Sequence, residues 1–290
     1  MEMSKRIEGA LERAVLQATA TGRPKKVSDA LRYAIFPGGA RVRPRLCLAV
    51  AASCGDAHPQ AADAAAAAIE MLHCASLVHD DLPCFDNADL RRGKPTVHTA
   101  FSEPLAVLVG DALIILSFET IARECALTPQ LIAPLIGTIG KAVGMPHGLI
   151  AGQAWESETG EIPLAEYHRA KTAALFTGAC VAGAVAAEAD PNQWRGVGDA
   201  LGAAYQVADD LRDFAGSENE LGKPCGQDAA NHRPNAVHEN GLDATLANLK
   251  GLVGDAVSAI PDCPGAPMLR KLIEGEATRL VPKELAQSAA

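Results

Sequence analysis

Paired cysteines are missing from this sequence: it contains eight cysteines, but none forms a CxxC pair, and most stand among apolar neighbours. This pattern does not fit a disulfide framework and is typical of reduced thiols in the core of a cytosolic protein. An excess of positive charge is missing as well, because the formal net charge is −9 at pH 7. Nucleic acids attract basic surfaces, so nucleic acid is not expected as the main partner, although a local basic pocket is compatible with this balance.

Long apolar runs are also lacking. Residues 1–17, MEMSKRIEGALERAVLQ, are charged and amphipathic and contain no continuous apolar core, so we expect no signal peptide. Uncharged stretches fall short of the roughly 20 residues that a membrane-spanning helix requires. Residues 172–187 come nearest, and they contain glycines. The sequence therefore predicts a soluble, cytoplasmic protein without a membrane span.

Apolar residues recur at helical spacing along almost the whole chain, whereas alternating strands, tandem repeats and low-complexity linkers are not found. Alanine runs such as residues 61–70 favour helix over strand. We expect one all-α domain spanning residues 1–290, long enough to bury a large core. The predicted helices are 3–20, 26–36, 41–54, 58–82, 103–124, 128–140, 145–158, 163–187, 191–216, 226–238, 243–258 and 266–286. The predicted loops are 36–39, 87–95, 217–226 and 261–267.

The first acidic cluster follows an apolar helix. Asp80 and Asp81 should occupy the last helical turn before Pro83, and Asp86 can fold back towards them. Carboxylates at a helix C-terminus are electrostatically unfavourable, so a cation is expected nearby. An isolated acidic pair would be interpreted more simply as a solvated loop. Three cationic residues follow the cluster: Arg91, Arg92 and Lys94.

A second acidic cluster favours a metal site over a solvated loop. Asp213 lies four and three residues after Asp209 and Asp210, so it shares a helical face with both, where like charges destabilise a helix unless a cation neutralises them. The two clusters could face each other across the cavity of a helical bundle. Carboxylates without histidine or cysteine at metal spacing favour a hard cation such as Mg²⁺, which commonly bridges carboxylates and substrate phosphates. The cationic residues would then bind the phosphates.

With these motifs the sequence resembles the trans-type isoprenyl diphosphate synthases, and in particular bacterial geranylgeranyl diphosphate synthases. DDLPCFD at 80–86 matches the first aspartate-rich motif of that family, and DDLRD at 209–213 matches the second. The resemblance spans roughly residues 30–240, and it implies a helical bundle of the isoprenoid synthase type with a central apolar cavity. Further matching segments occur in the expected order: GGARVRP at 38–44, RRGKPTVH at 91–98, GQ at 152–153, KT at 171–172, YQ at 205–206 and LGKPCGQD at 221–228.

The resemblance also implies roles for individual residues. Several Mg²⁺ ions would be held mainly by Asp80, Asp86 and Asp209, with Asp81, Asp210 and Asp213 in support. Arg91, Lys171 and Lys223 would clamp the allylic diphosphate, and Arg43, His73 and Arg92 would hold the diphosphate of isopentenyl diphosphate. Thr172 and Gln206 would stabilise an allylic carbocation through their oxygen dipoles.

Two departures from the family pattern concern substrate binding. Ala40 stands where the family usually has a lysine, so we expect weaker or rearranged binding of isopentenyl diphosphate. NHRPNAV at 231–237 replaces a GKxTYP-like segment, and Arg233 there preserves the positive charge of the usual lysine. Gln153 and Glu156 share a helical face, which fits a supporting role at the site and a simple polar pair equally well.

The helix before Asp80 should line the tunnel for the growing chain. In the family, an aromatic side chain at the positions of Ala75 or Ser76 stops growth early, but both residues are small here. Met71 and Leu72, one turn further, would form the floor, with Phe118 from another helix. This arrangement resembles enzymes whose product has twenty carbons, with farnesyl diphosphate as the alternative.

Other classes of function fit less of the sequence. A non-catalytic regulatory homologue should have lost acidic or cationic motif residues, and only Ala40 points that way. A terpene cyclase would lack the isopentenyl diphosphate site, yet Arg43, His73 and Arg92 are present. A purely structural helical protein leaves the clustered acids unexplained. The resemblance implies a homodimer, for which the helix at 103–124 is the candidate interface.

Overall fold

A computed structural model describes residues 2–20, 24–36, 39–159, 163–215 and 235–280, in which every element longer than five residues is an α-helix. The predicted all-α class is therefore confirmed. The helices are α1 (Glu2–Ala18), α2 (Lys25–Ile35), α3 (Val42–Ser53), α4 (Pro59–Asp80), α5 (Val97–Ala100), α6 (Glu103–Glu124), α7 (Ile132–Val143), α8 (Leu149–Trp155), α9 (Leu164–His168), α10 (Ala174–Ala186), α11 (Arg195–Ala215), α12 (Ala236–Asn240), α13 (Leu242–Ser258) and α14 (Ala266–Leu280).

Three short helical turns complete the helices. The 3₁₀ turns Pro129–Leu131 and Pro191–Trp194 lead into α7 and α11, and the π turn Arg169–Ala173 joins α9 to α10. The π turn was not predicted, because a hydrophobic pattern does not distinguish five-residue from four-residue hydrogen bonding. The predicted helix at 163–187 is therefore one continuous rod with an irregular turn in its first half.

The alanine-rich helix α4 lies at the centre of the bundle. All seven alanines of residues 61–68 are buried, and their small side chains allow α3, α6 and α10 to pack directly against α4. Helices α4 and α6 are both long and apolar enough to cross a membrane by length and composition alone, and here they pack against each other. Buried core helices meet the same criterion. The centre of the bundle thus holds the helix that ends in the first acidic motif.

The predicted loop at 87–95 contains a hairpin, so the expectation that the chain has no strand was wrong. Strands β1 (Leu90–Arg91) and β2 (Lys94–Pro95) are antiparallel, with Leu90 opposite Pro95. Arg92 and Gly93, with φ of 53° and 73°, form the turn in the left-handed region. Two-residue strands are too short to show alternation in a sequence. The hairpin points Arg91 and Arg92 in different directions from one short loop.

Most helix boundaries agree with the predicted ones, and α6 agrees at both ends. Helix α8 is shorter than the predicted 145–158, because Pro146 and Gly148 precede it and both are poor residues for a helix interior. Of the predicted helix 226–238, the described part begins at residue 235, where Asn235 caps α12 by accepting from the Val237 N–H at 2.9 Å. The predicted loop at 217–226 lies outside the described residues.

Candidate active site

The first acidic motif closes around the end of α4. The Asp86 N–H donates to the Asp80 carbonyl at 2.9 Å, so the loop after α4 folds back and brings the two side chains together. Asp80 Oδ1 is buried and has no hydrogen-bond partner within the described part of the chain. Burial raises the pKa of Asp80; the Lys171 charge opposes this shift and the Asp86 charge adds to it.

Asp81 points away from this pair towards the hairpin. Arg91 Nε donates to both Asp81 oxygens, at 2.7 and 2.9 Å, and Arg91 Nη2 lies 3.7 Å from Asp80 Oδ2. Asp81 is almost completely buried, which raises its pKa even though the Arg91 ion pair opposes the shift. Arg91, predicted as a clamp for the allylic diphosphate, is thus anchored beside the acidic cluster by Asp81.

Glu156 completes the first cluster, and the sequence did not distinguish it from an ordinary polar residue. One oxygen each of Asp80, Asp86 and Glu156 lies within 4.8 Å of the others. Lys171 forms an ion pair with Glu156 Oε1, to which the Tyr167 hydroxyl also donates at 2.5 Å. The only sequence signal was the GQ motif, because Gln153 and Glu156 are three residues apart; Gln153 Nε2 donates to Glu156 Oε2 at 3.1 Å.

The π turn connects the two acidic motifs. Lys171 faces Glu156, whereas the next residue, Thr172, donates from its hydroxyl to Gln206 Oε1 on α11. Gln206 Nε2 in turn donates to Asp210 Oδ1 at 2.9 Å. The GQ motif requires glycine at position 152, because a Cβ there would overlap the Lys171 backbone and push α8 away from the π turn. Of two consecutive side chains, one therefore contacts the first acidic cluster and the other is linked through Gln206 to the second.

The three aspartates of the second motif lie in different environments. Asp209 is exposed and accepts from Arg212 Nη1 at 2.8 Å, whereas Asp213 is buried. Asp210 is 1% exposed, and its Oδ2 accepts from the Ala236 N–H at the start of α12 at 2.8 Å. Within the described residues, Asp209 is not part of the acidic trio around Asp80. The predicted metal role of the second motif stays a prediction.

Arg43, His73 and Arg92 form a second, cationic cluster. Arg43 Nη1 is 3.3 Å from His73 Nε2, and the Arg43 guanidinium lies over the Phe176 ring at 4.4 Å. The Arg92 guanidinium lies against Gly39. Burial lowers the pKa of His73 well below its ordinary value, and the charges of Arg43 and Arg92 lower it further, so the ring is neutral.

This cationic cluster has the properties of an anion site. Within the described ranges neither Arg43 nor Arg92 forms a salt bridge, and Arg43 Nε is buried without a hydrogen-bond partner. Ala40, which replaces the usual lysine, is exposed beside them. The three residues that were predicted to hold the second diphosphate are thus brought together. Lys223 and Arg233 lie outside the described residues, and their predicted roles stay predictions.

An apolar cavity of about 370 Å³ begins at Asp80 and runs along α4. Ala75, Ser76 and Leu72 line it, as the predicted tunnel requires. Met71 is completely buried in the core and does not line the cavity, and neither does Phe118, in contrast to the predicted floor. A methionine neighbouring Leu72 on a helix points about 100° away from it, which explains this difference. His79 of α4 also lines it. The remaining wall comes from other helices and loops: Phe85, Ile114, Val143, Leu149, Ile150, Gln153, Ala154 and Ser157.

The acidic trio suits a hard divalent cation. Its donors are carboxylate oxygens, the preferred ligands of Mg²⁺ and Ca²⁺. Asp80 Oδ1 is the buried oxygen without a partner, which is the state that a cation would relieve. The arrangement therefore joins a cation site, an anion site and an apolar cavity around one helix end.

Comparisons with known proteins agree with this geometry. The sequence model of the family described as polyprenyl synthetase matches residues 24–258. The chain is 50% identical to a geranylgeranyl diphosphate synthase of Cereibacter sphaeroides, over 99% of both chains, and 48% identical to that of Rhodobacter capsulatus, over 94% of both. An FPP/GFPP synthase structure from Zymomonas mobilis has a TM-score of 0.82 at 30% identity, over 95% of this chain and 97% of that one. A geranyltransferase from Helicobacter pylori, complexed with magnesium and isoprenyl diphosphate, has a TM-score of 0.79 at 29% identity, over 94% and 96%.

Proposed function

Because this chain belongs to the polyprenyl synthetase family, we propose that it is a prenyltransferase that condenses isopentenyl diphosphate head to tail with allylic diphosphates. The allylic substrates are dimethylallyl, geranyl and farnesyl diphosphate, and the product is geranylgeranyl diphosphate. One observation carries the proposal: the single helix α4 contributes Asp80 to the cation site and to the apolar cavity, and His73 to the cationic cluster. A growing hydrocarbon chain and two diphosphates need this combination.

The twenty-carbon product is supported by the relatives and by the cavity. Two curated relatives that match over 94% or more of both chains are named geranylgeranyl diphosphate synthases. Ala75 and Ser76 leave the cavity open at the level nearest the acids. Farnesyl diphosphate is the alternative product, because the solved structures at 27–30% identity include an FPP/GFPP synthase and geranyltransferases.

The cation of this site is Mg²⁺ in our proposal. Asp80, Asp86 and Asp209 would hold several ions, with Asp81, Asp210 and Asp213 in support. When bound, Mg²⁺ supplies neutralisation of the diphosphate charge, which makes diphosphate a better leaving group. Support comes from the all-oxygen donor set and from the related geranyltransferase that is complexed with magnesium.

The residues of the chain itself bind, orient and keep water out. Lys171 places an ammonium group at the acidic trio, where the allylic diphosphate binds. Arg43 and Arg92, together with the neutral ring of His73, hold the diphosphate of isopentenyl diphosphate. Lys223 and Arg233 are expected to add positive charge to these two diphosphate sites. The apolar cavity keeps water away from the allylic carbon.

The reaction breaks the bond between the allylic carbon and the diphosphate oxygen, and the electron pair leaves with the diphosphate. Thr172 and Gln206, whose side chains are hydrogen-bonded to each other, would stabilise the positive carbon through their oxygen dipoles. The double bond of isopentenyl diphosphate then forms the new carbon–carbon bond. One proton is lost, and the departed diphosphate accepts it.

A homodimer and a cytoplasmic location complete the proposal. A groove of about 460 Å³ lies between α1, α2 and α6, and α6 presents Leu108 and Ile115 there, 54% and 66% exposed. Exposed apolar side chains on one helix face favour coverage by a second copy of the chain.

Product analysis tests the proposed function. Purified protein is incubated with Mg²⁺, labelled isopentenyl diphosphate and each allylic starter, and the dephosphorylated alcohols are separated by length. A dominant twenty-carbon alcohol supports the proposal, whereas a fifteen-carbon alcohol favours the alternative product. If no starter is condensed in the presence of Mg²⁺, the proposed enzymatic activity is refuted, and a non-catalytic regulatory homologue becomes the preferred hypothesis.

A further inference from the structure

Glu156 has two sets of neighbours that compete for it. On one side its carboxylate is within 4.8 Å of Asp80 and Asp86. On the other side it forms the ion pair with Lys171 and accepts from Tyr167. We propose that Glu156 is a positioning residue that seats Lys171 as the built-in counter-ion of the acidic trio, and that a divalent cation displaces Lys171 towards the allylic diphosphate. This inference rests on the proposed function of the site.

The charges of the cluster favour a nearby cation. Three carboxylates this close together repel one another, and burial of Asp80 makes its ionised form less favourable still. The ammonium group of Lys171 opposes the rise in the Asp80 pKa, so its charge already acts on the trio. Lys171 therefore stabilises the ionised acids before a metal ion is bound.

Lys171 combines a closely packed backbone with a long, flexible side chain. The π turn is held in place by the close approach of Gly152 to the Lys171 backbone, so any displacement belongs to the flexible four-carbon side chain. The Lys171 ammonium group lies 5.8 Å from the centre of the Tyr167 ring. This cation–π contact remains available to Lys171 when Glu156 binds a cation instead.

The oxygen that holds Lys171 is the point of competition. Glu156 Oε1 accepts from both Lys171 and Tyr167, while Oε2 accepts from Gln153. Asp80, Asp86 and Glu156 would hold a divalent cation, whose charge would compete for this carboxylate and repel the adjacent ammonium group. The allylic diphosphate then gains Lys171 only after the cation is bound. Cation binding and diphosphate binding are coupled through one lysine.

Binding of Mg²⁺ alone, measured by calorimetry without substrate, tests the competition. Lys171→Met is compared with Arg169→Met, which removes an exposed positive charge from the same turn. We expect Lys171→Met to bind Mg²⁺ about tenfold more tightly than Arg169→Met, since this is the effect of one charge near 5 Å at a dielectric between protein surface and water. In the Glu156→Gln background the same lysine substitution should give little further gain. Equal affinities of the two single variants, or a full gain without Glu156, overturns the proposal.

Inorganic pyrophosphate supplies the second readout. In the wild type, pyrophosphate affinity should rise steeply with Mg²⁺, and Lys171→Met should weaken this coupling while Mg²⁺ still binds. Coupling of the full wild-type strength in Lys171→Met contradicts the displacement. Glu156→Asp keeps the charge and serves as a milder variant if Glu156→Gln does not fold, as judged by circular dichroism. These measurements need no turnover, so a protein that shows the coupling but no condensation refutes the proposed function alone.

Discussion

A single substitution at Ala75 should shorten the product by five carbons. Ala75 is buried and lines the cavity, and Leu72 lines it one turn of α4 further from the acids. Three residues of helix correspond to about 4.5 Å. The four carbon–carbon bonds that one isoprene unit adds to the chain span about 5 Å. A phenyl ring placed by Ala75→Phe therefore removes room for about one isoprene unit.

The expected slowing of the final condensation can be calculated from the apolar surface of the last isoprene unit, which the Ala75→Phe cavity can no longer bury. Five apolar carbons at about 0.8 kcal/mol each give about 4 kcal/mol, or nearly a thousandfold slower final condensation. Product analysis of Ala75→Phe should accordingly show a fifteen-carbon alcohol in place of a twenty-carbon one. The rate at which isopentenyl diphosphate adds to geranyl diphosphate should change little.

Two matched variants on the same helix control this experiment. Leu72→Ala enlarges the cavity and should give some product longer than twenty carbons. Met71→Leu changes a neighbouring buried residue that does not line the cavity, so its product length should stay as in the wild type. A folded Ala75→Phe variant that still makes the twenty-carbon product at the wild-type rate would refute the reasoning. A change of length in Met71→Leu but not in Leu72→Ala would place the floor at Met71.

Three further predictions concern the cation site, stability and assembly. Asp80→Asn should lower kcat by at least about a hundredfold in a condensation assay, because an electrostatic stabiliser of the leaving group is weakened; exposed Asp111→Asn is the control and should keep its rate. Burial lowers the pKa of His168 to about 4, so the unfolded chain binds more protons between pH 6.5 and 4 and stability falls as pH falls through this window. The free energy of unfolding in urea should fall by about 2 kcal/mol more between pH 7 and 5 for the wild type than for His168→Asn; equal losses would mean that Asp210, 3.7 Å from the ring, offsets the effect of burial on this pKa. Ile115→Asp should convert a dimer to a monomer in light scattering, and an unchanged mass would exclude this face of α6 as the interface.

The fold was largely predictable because its signals are local. Helix α6 was predicted at both ends because Ser102, which caps it, and Pro104 in its first turn are recognisable start signals before a long apolar stretch. The hairpin with Arg92 in the left-handed region gave no such signal, because two residues cannot alternate. The π turn was also invisible, since its residues fit a helical pattern equally well.

The site was predictable where its residues form a motif and not where they meet only in space. Asp80, Asp86 and the Arg43–His73 contact follow from motif order. Glu156 is more than 70 residues from Asp80 along the chain, and no periodicity links them. Asp213 was expected to share a helical face with Asp209 and with Asp210, but successive residues on a helix point about 100° apart. Asp209 therefore reaches solvent while Asp210 is buried against α12.

The π turn Arg169–Ala173 also limits how this chain can change in evolution. A π turn contains one residue more than an α-helical turn, and loss of that residue would rotate all preceding residues by about 100° relative to α10. Tyr167 and Lys171 would then no longer both reach Glu156 while Thr172 reaches Gln206. Single-residue insertions and deletions between Tyr167 and Thr172 should consequently be eliminated by selection, even where substitutions are accepted. The length of this segment is therefore constrained as well as the identity of its site residues.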